Sequence, residues 1–588
     1  MLLANQRGRY IYLFSTLAVI TFIAHFWHYQ SLGLYEDDYF LIGQPMSMDI
    51  DKFGEFLNWH LINFSATESR PLLYLIEFTL GLIGNLIQDF HTLYLINYLV
   101  ILTANVLVYV FLKSIWNQPV FVSTGTLAFT LFPADTTHAY LTHVCLYVSL
   151  SFLTLAFLTY FANRKILSYL IIFASLFCYE TVFPVFIAAP LFKQPWNKQL
   201  LKEIFKHALI MASMLALVFI ARKLTGEARI SQLDLITLIS TPLSQMAIGP
   251  LVSLSMFFYQ PAQTLLNFKG ELLIFVPLCF VGFVLLLSSL NKEQESKVLE
   301  QNENDIFSTL KKLAFTAITC LVFAYPFNFT RAATEISGRN SRVHMAAAIG
   351  ACILVGLLCY LIVNLAKSNL TKNLINGGLA VFFALLVGFG LTVQHENQKS
   401  WQYQQAFWTD VVNLCPDITP ETVILVDAPN LNEGKQLHSF IQWGVPITFR
   451  EIYKFPSAWA RVEELPELND KPRWFFWRRY TLYPKVYRLS DNWQETIVND
   501  GKFDFDRQNP AFDYFLKWEP ARLLDTNNII LLEEKNRQLV RRSEPLTIND
   551  KVFEFKKAER STEFYLEKGV LYKSLIQENE EKLVSYFQ

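Results

Sequence analysis

Charge is scarce in this chain. Asp, Glu, Lys and Arg make up 17% of its 588 residues against a hydrophobic content of 52%, and an ordinary soluble domain carries about 25% charged residues. With a mean hydropathy of +0.27, that shortage excludes an ordinary soluble protein and marks a membrane protein. The formal net charge is -1 and no run of like charge occurs, so nothing points to a nucleic-acid partner. Cysteine is sparse as well. Of the seven, Cys145, Cys178, Cys279, Cys320, Cys352 and Cys359 lie in apolar stretches and Cys415 in the polar C-terminal part, so no disulfide framework is implied. No small-residue cleavage site follows the apolar stretch 10–30 behind Arg7 and Arg9, which therefore reads as a retained first helix. Repeats at a fixed period are absent too, which weakens a transporter built from inverted halves.

What is present is a series of apolar segments. A membrane span needs about 20 apolar residues, and Lys and Arg accumulate in short cytoplasmic loops. The candidates are 10–30, 91–112, 119–134, 138–160, 207–221, 271–290, 313–326, 343–365 and 374–394; of these 119–134, 207–221 and 313–326 are short and need help from their flanks. All the basic clusters fall inside if 71–88 lies at the interface and 166–192 goes in and returns as a hairpin broken at "CYETVFP". The prediction is mainly α: a polytopic transmembrane bundle of about eleven spans over 1–394, N-terminus inside. A soluble extracytoplasmic accessory domain over 395–588 follows, α/β or α+β, its core strand carried by "TVILVDAP". On this map 31–90, 134–138, 222–270 and 327–342 are external loops. Arg222 and Lys223 then sit outside, against the charge rule.

The polar residues worth weighing lie on that external side. "LYEDDYFLIGQP" places Asp37 and Asp38 directly after the first span, where one carboxylate can serve as a general base while its neighbour orients the acceptor or holds a cation; the plainer reading is an acidic exit from the bilayer. Arg70, at the start of "RPLLY", either snorkels to headgroups or pairs with an acidic loop or an anionic substrate. "LFPADTTHAYLTH" brings Asp135, His138 and His143 to the ends of two spans, as polar caps or as an acid–imidazole pair. Glu180 lies in an apolar stretch, where burying an ionisable group is costly and function or site-shaping is the default. Arg331, Arg339 and Arg342 precede a span; their planar forks suit phosphate, with headgroup contact as the alternative.

Taken together, "YEDDYF" after the first span, "SRPLLY", a span ending in "FP" before "TTHAYLTH", and "YETVFP" resemble the GT-C superfamily of polytopic glycosyltransferases, protein O-mannosyltransferases and their bacterial relatives in particular. The resemblance covers roughly residues 1–200 and, more loosely, 313–365. It implies transfer of a sugar from a polyprenyl-phosphate donor to a protein, lipid or glycan acceptor on the extracytoplasmic side of a bacterial plasma membrane. Asp37 and Asp38 then match the family's catalytic acidic pair, while Arg70, Asp135, His138, Glu180, Arg339 and Arg342 are the donor- or substrate-binding candidates. A divalent cation is possible but not required. Where the family often has a basic residue before its buried glutamate, this chain has Cys178 and Tyr179. The competing readings are a secondary transporter, a lipid-dependent glycan ligase or polymerase built on Arg331, Arg339, Arg342 and His344, and a membrane scaffold for 395–588.

Overall fold

The computed structural model describes residues 6–48, 50–62, 69–193, 196–224, 235–298, 303–329, 332–365, 368–431, 452–454, 462–464, 479–481, 484–500, 526–559, 566–577 and 585–587. The chain forms two compact units, one of Met1–Gln30, Thr67–Leu73 and Tyr94–His395, the other of Ser31–Ala66, Tyr74–Leu93 and Glu396–Gln588. The second unit thus takes in 31–66 and 74–93 as well as the C-terminal part.

The first unit is helical because a backbone in a bilayer must satisfy its polar groups within its own segment. Among the described residues six helices, His91–Ile115, Leu141–Phe161, Lys198–Leu224, Leu272–Leu290, Gly338–Leu365 and Asn369–Leu414, are long and apolar enough to cross a membrane, consistent with a multi-pass membrane protein. Two segments that are short in hydropathy are lengthened by their flanks: 207–221 lies within Lys198–Leu224, and the first ten residues of 313–326 lie within Glu303–Val322, which ends before 323–326. The third stays short. Helix α1 (Pro119–Thr130) begins on a proline at its first turn, where the missing N–H costs nothing, and all of its residues are buried. It packs closely on α2 (Ala348–Leu365) through small residues: a Cβ on Gly356 would lie 2.9 Å from the carbonyl oxygen of Phe121, so only glycine lets the two backbones approach.

The stretch 222–270 is not simply an external loop, as its sequence suggests. Residues Leu235–Leu266 form one long helix, α3, with Pro242, Pro250 and Pro261 inside it. It packs against several other elements of its unit. Gln245 accepts from the Ala333 N–H at 2.6 Å, Gly249 sits against the Tyr325 ring, Ser253 meets Tyr325 and His344, and Phe257 lies 5.9 Å from Phe132. Its prolines and glutamines lower the hydropathy that reveals a span, and so hide the helix. The stretch 166–192 does return on itself: Lys165–Ser175 is helical, Glu180–Ala188 is a 3₁₀ run containing Pro184, and the Lys193 ammonium donates to Asn163 Oδ1 at 2.7 Å.

In the second unit a four-stranded sheet is built from β1 (Val423–Asp427), β2 (Lys485–Arg488), β3 (Ile529–Lys535) and β4 (Gln538–Arg541), in the order β2-β1-β3-β4. Strand β1, the core of "TVILVDAP", is central and parallel to both neighbours. Such a strand is buried on both faces and reads as a continuous apolar run. The β3–β4 hairpin turns on Asn536 and Arg537, both at positive φ, as a tight two-residue turn requires. Val423, Leu425, Tyr487, Trp493, Ile529 and Leu531 form the core.

Candidate functional site

The acidic segment after residue 31 is folded, and its anchors lie within the second unit. Gly33 is pressed onto the Trp401 indole, where an added Cβ would fall 1.8 Å from a ring carbon. Its N–H donates to the Tyr35 hydroxyl at 3.0 Å, which in turn donates to the Asn397 carbonyl at 2.9 Å. Tyr39 donates to Gln404 Oε1 at 2.6 Å. Between these anchors Glu36 takes a positive φ of 45° and the chain turns, with the Asp38 N–H donating to the Tyr35 carbonyl at 2.9 Å.

The two aspartates are consequently unlike. Asp38 is fully buried and accepts from the Tyr35 N–H at 3.1 Å, so its carboxylate holds the turn. Asp37 is half-buried, and its carbonyl accepts from the Leu41 N–H at 2.8 Å as a short π-helical turn begins at Tyr39. The loop thus gives Asp37 a fixed backbone and leaves part of its side chain accessible, the condition for a carboxylate that must meet another molecule.

The first unit carries a polar cluster where 134–143 meets 338–344. Asp135 Oδ1 accepts from the Thr137 N–H at 3.0 Å and its hydroxyl at 2.6 Å. Asp135 Oδ2 accepts from the Tyr147 hydroxyl at 3.2 Å, and that hydroxyl is also 2.5 Å from His138 Nε2. The His138 ring stacks on His25 at 3.6 Å, with the planes 4° apart. Burial pushes the Asp135 carboxyl up, partly offset by the Thr137 and Tyr147 hydrogen bonds and His25. From the other side Ser341 Oγ accepts from the Thr136 N–H at 2.9 Å. Arg342 donates to His143 Nε2 at 3.4 Å. Arg339 and Arg342 are half-buried and three residues apart in the 3₁₀ run Gly338–Ala347, a spacing that puts them on one face; both charges act on His143. Arg331 lies outside the described residues.

Glu180 and Arg70 pair with each other. The guanidinium forks onto the carboxylate, Nε donating to Oε2 at 2.8 Å and Nη2 to Oε1, and it lies over the Tyr179 ring at 5.1 Å. Arg222 is the third member, 3.9 Å from Glu180 Oε2 and only 12% exposed. The arginine that breaks the charge rule therefore faces a buried carboxylate of its own unit.

Reading residue types along the chain missed Tyr147, His25, Ser341 and Tyr35. The first two look like ordinary members of apolar spans, and only their convergence on Asp135 and His138 sets them apart. Among the described residues no group of three or more His, Cys, Asp or Glu side chains is arranged to hold a metal ion, and all seven cysteines are buried and outside any disulfide. Comparison with family models, curated proteins and solved structures finds no match to this chain.

Proposed function

We propose that this chain is an integral-membrane glycosyltransferase of the GT-C type, moving a sugar from a polyprenyl-phosphate donor to an acceptor on the extracytoplasmic side. The observation that carries the reading is the unequal pair in the acidic loop: a buried Asp38 that holds its own turn, beside a half-buried Asp37 on a fixed backbone. Displacing a phosphate from an anomeric carbon needs a base for the incoming hydroxyl and positive charge for the departing group. Asp37 is assigned the first role and Asp38 the positioning of Asp37. Arg339 and Arg342, on one face of their 3₁₀ run, are assigned the second, because an arginine fork donates two hydrogen bonds to one phosphate. Asp135, His138 and the Arg70–Glu180 pair shape the first unit around that run.

The reading takes about eleven crossings. The hairpin 166–192 enters and leaves on one side however deep it reaches, so it does not change the parity of this reading.

The experiment is transfer from a defined polyprenyl-phosphate sugar by purified protein. Asp37→Asn is expected to lower the rate by at least about a hundredfold, the lower end of what a positioned base contributes, while donor binding is kept. Asp38→Asn is expected to lower the rate and also to loosen the loop, read as faster amide exchange at Tyr35. Wild-type transfer by Asp37→Asn with bound donor overturns the assignment.

A further inference from the structure

Beside the Asp135–Tyr147–His138 cluster lies a cavity of about 20 Å³, lined by His25, Asp135, Thr136 and His138 with apolar neighbours; a water molecule needs roughly 10–15 Å³ measured this way. The cavity is therefore roomy enough for one water, and although most of its lining is apolar, His25, Asp135, Thr136, His138 and Gln394 give it polar groups. We propose that Asp135, Tyr147 and His138 form a one-proton binding site, loaded through a water in this cavity and kept from taking a second proton by the stacked His25.

The hydrogen-bond geometry defines two arrangements. In the first, the proton is on Asp135: the carboxyl O–H donates to Tyr147 Oη, and the phenol O–H donates to His138 Nε2. In the second, Tyr147 has taken the proton of Asp135 and passed its own to His138. The phenol then donates to Asp135 Oδ2 and the imidazolium Nε2–H donates to Tyr147 Oη. One O–H bond breaks at the carboxyl, one N–H bond forms at the imidazole, and the phenol ends as it began; carboxyl plus imidazole becomes carboxylate plus imidazolium. The 3.2 Å and 2.5 Å distances from one hydroxyl to both partners suit either arrangement.

His25 limits the site. Its Nε2 lies 2.8 Å from the Thr130 carbonyl, which can only accept, so Nε2 carries the hydrogen and the ring is held face to face with His138. Two imidazolium rings at 3.6 Å would repel strongly in a buried setting, so a second proton is excluded. The other groups facing the cluster are His143 on the adjoining turn, with Arg339 and Arg342 behind it, and His344 on the 3₁₀ run. Burial raises the Asp135 carboxyl and favours rest with the proton there. The inference concerns where a proton resides and does not rest on the transferase reading.

The test is infrared spectroscopy of the full chain in detergent with labelled aspartate, alongside nitrogen NMR of labelled histidine, across a pH titration. The expected result is a protonated-carboxyl band that Asp135→Asn removes, titrating at the same midpoint as a ring signal that His138→Gln removes. Tyr147→Phe is expected to keep the carboxyl band and separate the two midpoints by about one pH unit or more, since coupled groups share macroscopic midpoints only while they interact. Tyr147→Phe keeps an aromatic ring in the core and carries the test if Asp135→Asn does not fold. No band assignable to Asp135 at any pH, or midpoints that stay together in Tyr147→Phe, overturns the proposal.

Discussion

At the scale of single residues, the chain places charge where burial makes it costly and then compensates it. Glu180 is held between Arg70 and Arg222, with side-chain exposures of 15%, 14% and 12%. Removing one partner of such a pair leaves an uncompensated buried charge, an effect of about 3–5 kcal/mol. Glu180→Gln is therefore expected to lower stability by about 3 kcal/mol, read as a lower midpoint of thermal unfolding in detergent, while an isosteric change at exposed Lys165 changes it little. An unchanged midpoint in Glu180→Gln contradicts the compensated-triad account. The chain displays Glu180 and Arg70 as isolated charges in apolar surroundings, so each is legible as unusual. Their pairing across 110 positions is not, because it depends on which segments fold against each other. Gly33 is a similar case: the requirement for glycine comes from the Trp401 ring, far along the chain.

At the scale of elements, legibility follows period and hydropathy. The long apolar helices and strand β1 are strong local signals and emerge as expected. Helix α3 does not, because three prolines and its polar residues imitate a loop; what makes it a helix is tertiary, through Gln245, Gly249 and Ser253. The link between strand β4 and the segment after Leu414 is likewise invisible in the sequence. Asp417 is buried, accepts from Arg541 Nη1 and Nη2 and from the Glu559 N–H, and lies 3.9 Å from the Lys556 ammonium. Burial, which alone would raise this carboxyl, is outweighed by Arg541 and Lys556, and its pKa falls below the ordinary value. A carboxyl depressed in the folded state contributes stability above its unfolded pKa of about 3.9 and loses it as pH falls through the folded value. The Asp417 contribution is thus expected to be constant from neutral pH to about pH 5 and to decline below about pH 4. Asp417→Asn should cost about 3 kcal/mol at neutral pH and flatten the acid limb of the unfolding curve. An acid limb of equal steepness in the variant contradicts the assignment.

At the scale of the whole molecule, the low charge and high apolar content of the composition and the six long apolar helices among the described residues are together consistent with a multi-pass membrane protein. The division into units is less legible. The residues 31–66 and 74–93 belong with the C-terminal unit, though they precede it by hundreds of positions and read locally as one external loop. The acidic loop therefore shares a unit with the sheet, anchored through Tyr35 on Asn397 and Tyr39 on Gln404. The central claim, transfer of a lipid-linked sugar on the extracytoplasmic face, is tested most directly in sealed membrane vesicles of known sidedness. These are loaded with a defined polyprenyl-phosphate sugar and given a membrane-impermeant acceptor on one side only. The account predicts product when the acceptor is on the face that exposes a tag at Gln588 and contains Asp37, and none when it is on the cytoplasmic face. Product formed only on the cytoplasmic face, or no consumption of the lipid-linked sugar on either, contradicts it.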